Sequence, residues 1–177
     1  MFPRVSIACV MTVSVCLIGC QSEPPIPPDD TPTEMILYSL DPRPAMHDKH
    51  GKLLPGPYGE KRVVGGELFH DIWEVLGKSE IKDPAVRKEL MEAMQDGIAT
   101  SDGTYAKCFN PRHGLRVREK DKITDYLICF ECGQIEIFTK NENRTTKTTT
   151  GAPAEIFNKR LKEANLPLAR SAVESEE

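Results

Sequence analysis

Residues 104–139, TYAKCFNPRHGLRVREKDKITDYLICFECGQIEIFT, decide the fold, because along them the apolar pattern falls to a period of two. TYAKCF, LRVR, DYLICF and QIEIFT each read as a strand, and YLICF, apolar on both faces, reads as a central one. Downstream, the polar run TTKTTT at Thr145–Thr150 follows a turn from Asn141 to Arg144 and predicts a polar edge strand. A helix then starts near Pro153, turns Ile156, Phe157, Leu161 and Ala164 toward the core, and ends before Pro167.

Upstream of the strand-rich stretch the period is that of a helix. Asp83 offers a cap and Pro84 a first helical position, and Val86, Leu90, Met91, Met94 and Ile98 form one apolar face before Gly97 and Gly103 break the pattern. LFHDIWEVLGKSEI at 68–81 fits a helical face through Leu68, Ile72 and Val75, but it also fits strands and a turn, and the strand reading is preferred. Met35–Leu40 predicts a first strand stopped by Asp41 and Pro42, and the density of Pro and Gly over the next two dozen residues predicts a long surface loop. The expected domain, residues 34–168, is therefore α+β: one antiparallel sheet of four or five strands with two helices on one face.

The first twenty residues carry a different signal. Arg4 is the only charged side chain before Glu23, and Val5–Gly19 is apolar or small throughout, a short basic region followed by a hydrophobic one. At about 15 residues the apolar run is shorter than the roughly 20 that a spanning helix needs. Leu17, Ile18, Gly19 and Cys20 spell LIGC, which resembles the lipobox of bacterial lipoproteins. That resemblance implies a signal peptide at 1–19, fatty acylation of Cys20, and a lipid-anchored domain in the cell envelope, facing the extracytoplasmic side. Residues 20–33 would then be the lipidated cysteine and its tether. QSEPPIPPDDTPT holds five prolines and three acidic residues, an extended spacer able to reach roughly 40 Å. Residues 169–177 read as a disordered polar tail. The net charge of −4 becomes −5 once Arg4 is removed, which argues against sequence-independent nucleic-acid binding; the lipobox resemblance implies the lipid bilayer as partner through acylated Cys20, with no protein partner specified.

Of six cysteines, Cys9 and Cys16 go with the signal and Cys20 goes to lipid, leaving Cys108, Cys129 and Cys132. The first reading is structural: either a disulfide from Cys108 to Cys129 or Cys132, of which it could reach only one because positions three apart in a regular strand face opposite sides, with the third thiol buried and inert, or three plain buried thiols. Redox exchange through Cys129 and Cys132 is a lesser reading. A third makes Cys108, His113, Cys129 and Cys132 a zinc site that stabilises an interaction domain. CFECG between two strands resembles the knuckle of zinc-ribbon proteins; no cofactor is expected, and zinc is the one alternative. RHGLR at 112–116 resembles the RHGxR core of histidine acid phosphatases, which implies a phosphoryl-transfer hydrolase with His113 as nucleophile and Arg112 and Arg116 holding phosphate. Arg118 stands where that family has proline, and no His-Asp or His-Ala-Glu motif follows. The alternative for this segment is a turn whose basic groups pair with Glu119, Asp121 or Asp125. CFNPRHG with ICFEC also resembles a signature of uncharacterised exported bacterial proteins, over roughly residues 105–138. It implies no activity, but suggests that the cysteine and Arg-His segments lie together. His70 beside Asp71 is read as a partly buried structural histidine and Trp73 as packing. The expectation overall is a cell-envelope lipoprotein acting as a binding or structural module rather than an enzyme, with no complete catalytic constellation.

Overall fold

Among the described residues seven strands, each antiparallel to its neighbours, form one curled sheet in the order β2-β3-β1-β4-β5-β6-β7: β1 (Glu34–Pro44), β2 (Leu68–Phe69), β3 (Trp73–Glu80), β4 (His113–Glu119), β5 (Lys122–Cys129), β6 (Gln134–Thr139) and β7 (Arg144–Thr148). With two helices, α1 (Pro84–Ala99) and α2 (Ala154–Glu163), they make an α+β domain. The computed structural model describes residues 32–45, 50, 66–139 and 144–169. The expected signal peptide, Cys20, most of the tether, most of the Pro- and Gly-rich loop, the turn before Arg144 and all but the first residue of the tail lie outside the described residues.

The sheet is larger than the four or five strands expected, for two reasons. LFHDIWEVLGKSEI folds as the hairpin β2–β3, and RTTKT at Arg144–Thr148 adds β7 as a polar edge. β1 also passes the expected stop at Asp41 and Pro42. Its pairing with β3 shifts register between Ser39 and Leu40 and again before Pro44, and such irregularities accommodate a proline that cannot donate to a ladder. TYAKCF is not a strand: residues 101–112 form an irregular segment between α1 and β4.

The alternation of the strands divides the apolar side chains between two faces. Met35 and Leu37 of β1, Leu115 and Val117 of β4, and Ile128 and Ile135 lie on one face, where Leu90 and Met94 of α1 and Phe157 and Leu161 of α2 cover them. The other face turns Tyr38, Leu40 and Leu127 inward with Phe69 and Trp73, a second cluster that the curl of the sheet brings together. Gly114 sits at its centre, because a Cβ there would lie 3.2 Å from Tyr38 Cβ and 3.4 Å from Phe69 Cε1.

Helix α1 begins as its cap predicts, with the Asp83 carboxylate accepting from the Ala85 amide at 2.8 Å and Pro84 first in the helix. It does not break at Gly97. It continues to Ala99, and Gly97 is where the segment leading into α2 crosses it: a Cβ would meet Pro153 Cγ and Thr149 Oγ1, each at 2.6 Å. Replacing a helical glycine with alanine ordinarily stabilises by about 1 kcal/mol. Here the clash reverses the sign, and Gly97→Ala is expected to destabilise by about 1–2 kcal/mol in urea unfolding. An unchanged or raised midpoint would show that the contact yields freely. Helix α2 carries Glu155 in its first turn and Arg160 and Lys162 in its last, and beyond its C-cap Ala164 the chain turns at Asn165, which adopts a left-handed φ of 55° two residues ahead of Pro167.

Candidate functional site

β5 ends at Cys129, and the chain then turns through Phe130, Glu131 and Cys132 to Gly133, whose φ of +68° and amide bond to Phe130 O at 3.3 Å close the turn. The turn overrides strand parity. Cys129 and Cys132 come to a Cα separation of 5.2 Å and form the disulfide, correcting the expectation that Cys108 would take one of them. Cys108 is a free, exposed thiol on the irregular segment, with Sγ 3.9 Å from Cys132 Sγ. That segment is laid over the turn by hydrogen bonds from the Ala106 amide to Cys132 O at 2.9 Å and from Gln134 Nε2 to Ala106 O at 2.7 Å.

His113 does not join the sulfurs. It points to the helix-covered face, 6 % exposed, between Phe130 and Phe157, with Nε2 2.9 Å from Asn158 Oδ1. Nε2 therefore carries the proton, and Nδ1 is buried with no hydrogen-bond partner among the described residues. Burial pushes the imidazole down to about 4, against a smaller upward pull from Asn158, so the ring is neutral. Among the described residues no group of three or more His, Cys, Asp or Glu side chains is arranged to hold a metal ion. In this oxidised state the four zinc candidates are divided: two sulfurs are bonded to each other, and the imidazole is engaged by α2.

RHGLR is divided in the same way. His113 and Arg116 are three positions apart on β4 and project from opposite faces. Arg112 pairs with Glu131 at 2.6 Å, and Arg116 makes a two-pronged pair with Asp125, Nε to Oδ1 and Nη2 to Oδ2, both 2.7 Å. Asp125 is one of the three partners named for the turn reading. The guanidinium lies 5.5 Å over the Phe69 ring, and His70 Nε2 reaches Asp125 Oδ2 at 3.1 Å. His70 thus pairs across the curled sheet rather than with Asp71. Its ring also stacks on Phe138 at 4.2 Å. His70 and Asp71 both adopt left-handed φ, 51° and 58°, in the tight turn of the β2–β3 hairpin. This conformation disfavours side-chain-bearing residues and is held here by the Asp125 and Phe138 contacts. Burial alone would raise Asp125, but its bonds and charge pairing with Arg116 and His70 outweigh that and hold it below the usual carboxylate range.

A surface that no sequence pattern marked lies beside Cys132. Tyr105 is 62 % exposed and stands between two open grooves, the first with a mainly polar lining and the second flanked by polar side chains but with more apolar than polar surface. The first, about 550 Å³, is lined among others by Thr100, Asp102, Thr104, Glu131, Cys132 and Thr150; the second runs along β7 past Glu136, Arg144, Thr146 and Thr148. Asp102 accepts from the Thr104 hydroxyl at 2.6 Å and its amide at 2.8 Å, bonds that lower its pKa and fix its carboxylate at the groove edge. TYAKCF read as a strand hid this surface, since no local pattern marks an outward tyrosine in an irregular segment.

No family model, no curated protein and no solved structure matches this chain.

Proposed function

We propose that this chain is an envelope lipoprotein, tethered through acylated Cys20, whose domain binds a polar carbohydrate polymer on the Tyr105 surface. The exposure of Tyr105 between two grooves is the observation that carries the binding reading. An apolar, enclosed cavity suits a small molecule, whereas open grooves flanked by polar side chains suit a ligand that extends past them. A sugar ring presents an apolar C–H face to an aromatic ring and hydroxyls to its surroundings. Tyr105 supplies the ring, and Asp102, Thr100, Thr104 and Thr150 supply acceptors and donors around it. LIGC and the proline-rich spacer support the tether, and no helix among the described residues is long and apolar enough to cross a membrane. The alternatives through His113 lose support from its burial and its bond to Asn158.

Two measurements test the reading separately. Co-sedimentation of the protein with insoluble cell-wall glycan is expected to weaken about tenfold in Tyr105→Ala, the loss of one stacked aromatic contact. Equal sedimentation of variant and wild type would exclude the Tyr105 surface. Cys20→Ser is expected to move the protein from the membrane to the soluble extracytoplasmic fraction, and retention at the membrane would exclude the lipid anchor.

A further inference from the structure

The sulfur of Cys108 is outside the disulfide and open to solvent. It is exposed on a segment that hydrogen bonds hold over the Cys129–Cys132 disulfide, and its Sγ lies 3.9 Å from Cys132 Sγ of that pair. We propose that Cys108, Cys129 and Cys132 form a thiol–disulfide exchange site, in which the bond migrates from Cys129–Cys132 to Cys108–Cys132 and Cys108 is the sulfur that meets an external thiol.

Three observations converge on this. First, Cys129 and Cys132 are 1 % and 3 % exposed, so a thiol from solvent has little access to either, while Cys108 Sγ already sits 3.9 Å from Cys132 Sγ. Second, attack at Cys132 displaces Cys129, and Cys129 Sγ receives the Cys132 amide N–H at 3.2 Å, a donor positioned to stabilise the departing thiolate. Third, Cys132 Sγ receives the Asn110 amide N–H at 3.4 Å, which places a donor on the sulfur that leaves in the second step.

In the first step the Cys108 thiol gives its proton to solvent and the thiolate attacks Cys132 Sγ. The Cys108–Cys132 bond forms as the Cys129–Cys132 bond breaks, and Cys129 leaves with the electron pair and takes up a proton. Oxidation state is unchanged, so no oxidant is needed. In the second step an external thiolate, from a small thiol or a protein cysteine, attacks Cys108 of the migrated bond. A mixed disulfide on Cys108 forms and Cys132 leaves as thiolate. A second external thiol resolves the mixed disulfide, so that two external thiols are oxidised to a disulfide and the protein pair is reduced. Run backwards, the same steps pass oxidising equivalents into the protein.

The test holds the mature chain with glutathione in mildly alkaline buffer, quenches with acid, alkylates the free thiols and maps linked peptides by mass spectrometry. Wild type is expected to yield a Cys108–Cys132 peptide pair alongside the Cys129–Cys132 one, and Cys108→Ser is expected to be reduced at least about tenfold more slowly. A Cys129→Ser variant exposed to oxidised glutathione is expected to close Cys108–Cys132. Absence of that pair in the wild type overturns the proposal whatever the variants do. Equal reduction of wild type and Cys108→Ser overturns the role of Cys108 as the point of entry, and free thiols persisting in Cys129→Ser show that the two sulfurs cannot bond.

Discussion

Asp125→Ala is expected to lower the unfolding free energy by about 3 kcal/mol, enough to threaten a domain of ordinary stability. The carboxylate is 9 % exposed in its side chain and ties together three parts of the chain: Arg116 on β4, His70 on the β2–β3 hairpin and its own strand β5. Removing it leaves the Arg116 guanidinium without its two-pronged partner over Phe69, in a position where burial opposes its charge. It also removes one of the contacts that hold His70 in its left-handed turn. The figure sits at the low end for a broken buried pair, because the Arg116 side chain is 38 % exposed and water takes up part of the lost interaction. Replacing both partners, Arg116→Met with Asp125→Leu, is expected to recover most of the loss, since it is the unpaired charge that is costly. Urea unfolding of the single and double variants checks both statements. A loss below about 0.5 kcal/mol in Asp125→Ala would mean that the cluster is decoration on a sheet held by its apolar contacts.

The second large effect is a loss of stability in acid that His113 causes. Its folded-state pKa of about 4 lies below the 6.5 of the free side chain, so between these values the unfolded chain binds a proton that the folded chain refuses. Stability therefore falls as pH drops from 6.5 toward 4, and the loss levels off once both states are protonated. The full difference corresponds to about 3 kcal/mol. The contribution of Asp125, whose pKa is lowered, has the same sign and is lost as pH falls through its carboxylate range. His113→Gln keeps a donor for Asn158 and does not titrate, so its urea midpoint is expected to change much less across that window than the midpoint of the wild type. Parallel curves for the two proteins would assign the acid sensitivity to other groups.

The local elements were legible because their causes are local. A carboxylate followed by proline begins α1, an apolar repeat of three and four continues it, and alternation of apolar and polar residues makes β4, β5 and β6. Local rules also failed where a distant contact intervened. Gly97 looked like a helix breaker, and it is instead the only residue small enough to let Pro153 and Thr149 cross α1. Alternation in TYAKCF looked like a strand, but the segment's amide and carbonyl at Ala106 are taken by Cys132 and Gln134 and join no ladder.

The cysteines and RHGLR show the same limit in the candidate sites. Five adjacent letters suggested one phosphate pocket, yet the pleat of β4 sends His113 into the helix-covered core and Arg116 to the opposite face. Spacing of three seemed to separate Cys129 from Cys132, and a left-handed glycine after the strand brought them together.

What the amino-acid order determined unaided is where α1, α2 and strands β4 to β6 lie, which of their apolar residues turn inward, and the lipobox-like start that motivates a tether. Those properties depend on neighbours a few positions apart. The curl of the sheet, the pairing of His70 with Asp125, and the placement of Cys108 against Cys132 were decided only by the tertiary structure. Each joins side chains 24 to 55 positions apart, or strands that are not neighbours in the sheet. Contacts of that range are fixed by how whole faces pack, which no short window of sequence encodes.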